Sequence, residues 1–138
     1  LEAVKPHLKT SHNKALILGT GGASKAIAYS LKLLDIDFQF VSRKPENNQF
    51  SYNELNRNII EDHKLIINCT PLGTTPNIEI YPEIPIKHIS ENHLIFDLIY
   101  NPSQTKLMQL AAEKGAKTVN GFRMLELQAE KAWSIWNS

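Results

Sequence analysis

Apolar positions along this chain follow two rhythms. Near-continuous runs occur at Ala15 to Leu18, Ile36 to Val41, Leu65 to Ile67, His93 to Ile99 and Ala116 to Val119. The uninterrupted runs Ala15 to Leu18 and Leu65 to Ile67 are what strands buried on both faces require, and the second strand is apolar at Ile36, Phe38, Phe40 and Val41. Between them the apolar residues recur at three and four. Ile27, Leu31 and Leu34 share one helical face, and Leu125, Ala129, Ala132, Trp133 and Trp136 share another on a last helix from Met124 to Trp136. Pro102 and Ser103 predict the start of a further helix running to Lys114, with Gly115 at the αL cap position. Ser51-Tyr52-Asn53-Glu54 has capping-box form and predicts a short helix through Leu55 and Ile59, while Gln49-Phe50 just before it fits a brief strand. Pro76 to Pro85 holds three prolines and reads as loop, and Leu1 to Val4 reads as the end of a helix stopped by Pro6.

Strands alternating with helices imply a parallel sheet covered on both faces, a three-layer α/β/α domain. At 138 residues the chain fits one such domain. A hydrophobic share of 42% and a charged share of 21% are those of an ordinary globular chain. The net charge of +1 argues against nucleic acid or an anionic membrane as partner. No apolar run approaches the roughly 20 residues of a membrane span. The lone Cys69 excludes an internal disulfide and fits a reducing, cytoplasmic setting, and nothing near it marks a reactive thiolate. The histidines lack metal-ligand spacing, so no metal is expected.

The candidate chemistry starts where the first apolar run meets Gly19-Thr20-Gly21-Gly22-Ala23-Ser24. Strand, glycine turn and helix in that order suit a pyrophosphate, which sits on the free N–H groups of a helix's first turn. Side chains at Gly19 and Gly21 would hold the phosphates off, and the tight turn draws on glycine's access to positive φ. The third fingerprint position is Ser24, small but not glycine. The fold expectation is therefore a Rossmann-like doubly wound sheet. A domain that prefers NAD places a carboxylate at the end of its second strand, to accept from the ribose 2′-OH. Here Ser42, Arg43 and Lys44 occupy that place, so the expected cofactor is NADP, with Arg43 pairing the 2′-phosphate and Lys44 adding charge. A methyltransferase shares the glycine turn but wants a carboxylate where Arg43 stands. A module that binds the dinucleotide only for regulation would share both features.

In Gly19 to Ala26, Ser42-Arg43-Lys44, Asn68-Cys69-Thr70-Pro71-Leu72-Gly73, Asp97-Leu98-Ile99-Tyr100-Asn101-Pro102 with Thr105, and Gly121-Phe122-Arg123-Met124-Leu125 with Gln128, the chain resembles the C-terminal, NADP-binding domain of the shikimate dehydrogenases. The resemblance runs from about Pro6 onward. It implies reversible NADPH-dependent reduction of 3-dehydroshikimate to shikimate. It implies that Gly19, Gly21, Gly22 and Ala23 hold the pyrophosphate and Arg43 the 2′-phosphate, with Ser42 at the family's usual asparagine and Lys44 at its usual threonine. Thr70 would line the ribose and nicotinamide. Ile99, Gly121 and Met124 would lie beside the nicotinamide, with Tyr100 near the substrate and Gln128 reaching a shikimate hydroxyl. Asp97 would support the site without touching ligand.

Two features depart from the family pattern. Only Pro45 to Gln49 separates Lys44 from the third strand, where the family inserts a full helix, so the adenine side is expected to be more open. The family's proton-donating lysine and aspartate lie in an N-terminal substrate domain that nothing before Lys14 can encode. Residues 1–13 are thus expected as a lead-in from that partner domain and 14–138 as the nucleotide domain. The chain alone would bind cofactor and one side of the substrate, with no catalytic residue and no turnover. Preference for quinate over shikimate, and a homodimer, stay open at this point.

Overall fold

A computed structural model describes residues 12–46, 48–99 and 101–121. The expected helix from Met124 to Trp136, the expected helix end at Leu1 to Val4, and Tyr100, Met124 and Gln128 lie outside the described residues.

The strands are β1 (Lys14–Leu18), β2 (Asp37–Ser42), β3 (Phe50–Ser51), β4 (Leu65–Asn68), β5 (Leu94–Asp97) and β6 (Lys117–Asn120). They form one parallel sheet in the order β3-β2-β1-β4-β5-β6. Three helices are described: α1 (Gly22–Leu33), α2 (Arg57–Asp62) and α3 (Lys106–Glu113).

The alternation of side chains across the sheet divides the core in two. Ala15, Ile17, Leu65, Ile67, Leu94 and Phe96 point to one face and pack with Ile27, Ala28 and Leu31 of α1. Leu16, Leu18, Ile66 and Ile95 point to the other, against Ile60 of α2 and Leu107 and Ala111 of α3. Residues 15–18, 65–67 and 94–96 of the central strands are all apolar because both faces are covered. Each fully buried leucine or isoleucine contributes about 1.5–3 kcal/mol relative to exposure. β2 reads differently, since its outer neighbour among the described residues is a two-residue strand. Phe38 and Phe40 are half-buried there, edge to face at 5.6 Å, with the Lys32 ammonium 6.0 Å from the Phe38 ring.

Two expected helices are corrected. The capping box at Ser51 forms, with Glu54 accepting from the Ser51 N–H at 2.9 Å, but it closes a single 3₁₀ turn over Tyr52–Glu54. Leu55 then turns extended and buries its side chain in the second core. Asn56 opens the separate α2 by accepting from the Ile59 N–H at 2.9 Å. The helix expected from Pro102 begins instead at Lys106. Thr105 caps it, accepting from the Met108 N–H at 3.2 Å. Gly115 does take the left-handed conformation after α3, at φ +89°.

Candidate functional site

The strand order reverses between β1 and β4, which are neighbours in space but not in sequence. In doubly wound sheets a crevice opens at such a point, outside the carboxyl ends of the strands. The chain places the Gly19 turn and the Cys69 turn there. Gly19 donates to the Val41 carbonyl at 2.9 Å, and Cys69 donates to the Leu18 carbonyl at 2.9 Å, so both loops continue the sheet's pairing before they diverge. Gly19 has φ +105°, and a β-carbon on it would meet the Thr70 methyl at 3.3 Å. Its glycine is required by conformation. Gly21 is different: it is extended at φ −76°, and a β-carbon on it or on Gly22 would meet nothing within 4 Å. The positive φ of the turn therefore resides at Gly19, and Gly21 and Gly22 keep the start of α1 bare.

No side chain caps α1, and its first turn holds no acidic residue. The positive end of the helix is thus open to the crevice, an arrangement suited to an anion. Ser24 explains its place in the fingerprint. It is wholly buried, and its hydroxyl donates to the Gly21 carbonyl at 2.6 Å, which ties the helix to its own turn.

The crevice holds a cleft of about 780 Å³ between the glycine turn, Ser42 to Lys44, and Thr70 to Leu72. A second hollow of about 480 Å³ shares Cys69, Thr70 and Pro71 with it and extends past Ala23 to Leu98 and Ile99. A third hollow of about 720 Å³, around Lys14, Asp37 and Asp62, opens at the amino ends of β1 and β2, away from the glycine turn.

Arg43 and Lys44 follow β2 directly and are exposed. Among the described residues neither has a carboxylate partner. The Lys44 N–H donates to the Ser42 hydroxyl at 3.1 Å, which shapes the bend that carries both cations.

The opposite wall is built from buried hydrogen bonds. Asp97, fully buried at the end of β5, accepts from Asn68 at 3.1 Å and from the Ile99 N–H at 3.1 Å on one oxygen. The other oxygen accepts from the Thr105 hydroxyl at 2.7 Å. The Asn68 side-chain oxygen in turn accepts from the Thr70 N–H at 3.0 Å and its hydroxyl at 2.6 Å. Burial pushes the Asp97 carboxyl above the ordinary carboxylate value, against the pull of these donors. Burial, with the nearby Asp97 charge second, raises the Cys69 thiol to about 12, so it is protonated at neutral pH and no nucleophile. Gly121 is held by sterics: a β-carbon there would lie 2.0 Å from the Leu98 carbonyl oxygen.

The structure therefore brings together Gly19, Gly21, Ser42, Arg43, Lys44 and Thr70 around one cleft, and Ala23, Thr70 and Ile99 around the adjoining hollow. Gly22 stands in the first turn of α1. Tyr52, missed by the sequence reading, also lines the larger cleft. Its signal was its place just past the third strand, at the same end of the sheet as Arg43. Among the described residues no group of acidic residues, histidines and cysteine could hold a metal ion, and no helix is long and apolar enough to cross a membrane.

The strand order and the glycine turn at the reversal point define a Rossmann-like α/β domain. No family model matches the chain. It is 37% identical, over an alignment of 138 residues, to the shikimate dehydrogenase (NADP(+)) of Clostridium botulinum strain Hall, covering 94% of this chain and 53% of that protein. It is 38% identical over 136 residues to that of Methanococcus maripaludis, covering 88% of this chain and 48% of that protein. The shikimate 5-dehydrogenase of Thermus thermophilus, solved with NADP(H) and shikimate, matches at a TM-score of 0.81 and 26% identity, over 98% of this chain and 53% of that one. The chorismate mutase/shikimate 5-dehydrogenase fusion of Clostridium acetobutylicum matches at 0.78 and 33% identity, over 99% of this chain and 51% of that one. In sequence and fold the chain is a relative of the shikimate dehydrogenases. It spans about half the length of the curated relatives it matches.

Proposed function

We propose that this chain is the NADP-binding domain of a shikimate dehydrogenase, an oxidoreductase that reversibly reduces 3-dehydroshikimate to shikimate with NADPH. The observation that carries the reading is the pair of cations, Arg43 and Lys44, without a carboxylate partner among the described residues, at the carboxyl end of β2 beside the bare start of α1. A 2′-phosphate needs a cation where a 2′-OH needs a carboxylate, and the guanidinium fork matches phosphate geometry.

Bound NADPH supplies the hydride for carbonyl reduction. This chain's own part is to hold and orient it. Gly19, Gly21, Gly22 and Ala23 let the pyrophosphate reach the first-turn N–H groups, and Arg43 holds the 2′-phosphate with help from Lys44 and Ser42. Thr70, fixed by Asn68, lines the ribose, and Ile99 stands at the nicotinamide end with Gly121, whose N–H donates to the Ile99 carbonyl at 3.3 Å. The resemblance adds Met124 against the nicotinamide and Tyr100 and Gln128 toward the substrate. In this reading residues 1–13 lead in from a substrate domain that carries the acid–base pair, and residues 14–138 are the nucleotide domain. The unpaired Cys69 thiol suits a reducing cytoplasmic setting.

Titration of the chain with NADP+ and NAD+ at fixed salt tests the reading. A charge-assisted hydrogen bond is worth about 1.5–3 kcal/mol, so Arg43→Ala is expected to weaken NADP+ binding roughly ten- to a hundredfold and to leave NAD+ nearly unchanged. Equal losses for both cofactors would sink the assignment.

A further inference from the structure

Parallel neighbours such as β2 and β3 usually need a crossover of about a dozen residues or more, most often helical. Here residues 43–49 make the whole connection. Two consequences follow from this shortness. β3 is reduced to Phe50–Ser51, and the 3₁₀ turn Tyr52–Glu54 sits directly at its carboxyl end. The register pairs Ser42 with Ser51, so Arg43 and Tyr52 are the first residues past two adjacent strands, side by side on the same rim. Both line the cleft that Gly19 and Gly21 close from the other side.

Tyr52 is half-buried, its ring packed against the second core. The phenol has no hydrogen-bond partner among the described residues, while its neighbours in the turn, Ser51 and Glu54, are occupied with each other. The phenol oxygen lies within electrostatic reach of the Arg43 guanidinium. Burial lifts the phenol above its ordinary value, so at neutral pH it keeps its proton and can donate. A half-desolvated donor and a guanidinium without a carboxylate partner among the described residues, on one rim, describe a receptor for a polyanionic group, each supplying N–H or O–H to the same oxygens.

We propose that Tyr52 is a second determinant of 2′-phosphate recognition: its hydroxyl donates to the phosphate that Arg43 pairs with, closing the rim where the short β2–β3 connection leaves it open. The proposal rests on the NADP reading above and adds a residue that the glycine and arginine motifs do not contain.

The test is calorimetric titration of the wild-type chain, Tyr52→Phe and Arg43→Ala with NADP+, NAD+, 2′,5′-ADP and 5′-AMP at one salt concentration. Phenylalanine keeps the ring's packing, so the circular dichroism and melting curve of Tyr52→Phe should match the wild type. Tyr52→Phe is expected to weaken NADP+ and 2′,5′-ADP about three- to tenfold and to change NAD+ and 5′-AMP less than about twofold. An unchanged NADP+ affinity overturns the proposal, as does an equal loss for NAD+. If wild type shows no preference for NADP+ and Arg43→Ala has no selective effect, the cofactor reading falls and Tyr52 with it. A preference that Arg43→Ala removes and Tyr52→Phe leaves intact overturns the Tyr52 assignment alone.

Discussion

The two walls of the cleft are made on opposite principles. On the β4–β5 side, Asn68, Thr70, Asp97 and Thr105 satisfy one another, and each bond is buried or half-buried. On the β2–β3 side, Arg43, Lys44 and Tyr52 sit on a thin rim with no carboxylate or hydrogen-bond partner for their side chains among the described residues. The first wall spends its polar groups on its own shape. The second keeps them for something else. A buried polar network that is complete rigidifies its surroundings, whereas unpaired polar groups are tolerable only where water or a ligand reaches them. The contrast separates variants that should damage the fold from variants that should damage recognition.

The largest effect is expected at the first wall. Asp97→Ala leaves the Asn68 amide, the Thr105 hydroxyl and the Ile99 N–H without their acceptor, inside the core. Each orphaned group costs about 1–3 kcal/mol, so a loss of about 3–5 kcal/mol of stability is expected by urea denaturation. A loss below about 1 kcal/mol would mean that the network is not what holds this wall.

Gly21→Val attacks the opening between the walls. The position is extended, at φ −76°, and a β-carbon finds open space, so the fold should survive with little change in melting temperature. The new side chain stands in the anion's approach, and binding of NADP+ and NAD+ should both fall by roughly a hundredfold or more. This sharpens the comparison with Arg43→Ala, which should separate the two cofactors. A folded Gly21→Val variant with normal affinities would locate the phosphate turn elsewhere.

The smallest effect is a pH slope. The Asp97 carboxyl is raised in the fold above its unfolded value of 3.8. Its contribution is thus fully present below that value and is lost as pH rises through the folded value. Relative to Asp97→Asn, the wild-type chain should lose stability as pH rises from about 4, measured as the difference between the two urea midpoints across pH. A difference independent of pH would show that the donors cancel the effect of burial, and a wild-type advantage that grows with pH would show that the donors dominate this carboxyl.

Much of the fold was legible because its signals are local. The apolar runs of β1, β4 and β5, the three-and-four spacing of α1 and the glycine turn are each written within a few residues. So was the position of Arg43, which stands just after the second strand and lines the cleft. The failures came where a distant partner overrode a local signal. The capping box at Ser51 was real, yet its helix stopped after one turn because Leu55 is drawn into the second core. Pro102 looked like a helix start, yet α3 waits for Thr105, whose hydroxyl is held by Asp97 from the neighbouring strand.

By itself the sequence determined the alternation of strand and helix, the bare glycine entry to α1, and a cation where an NAD domain would carry an acid. Each depends on spacing along the chain and on backbone sterics, which need no knowledge of what lies opposite. Only the tertiary structure decided that β1 lies beside β4, so that the glycine turn and Thr70 face each other across a cleft. It also decided that Ser42 registers with Ser51, which sets Tyr52 next to Arg43. Strand order and register arise from pairing between segments far apart in sequence, and the polar groups that such pairing leaves unsatisfied emerge only once every other partner has been assigned.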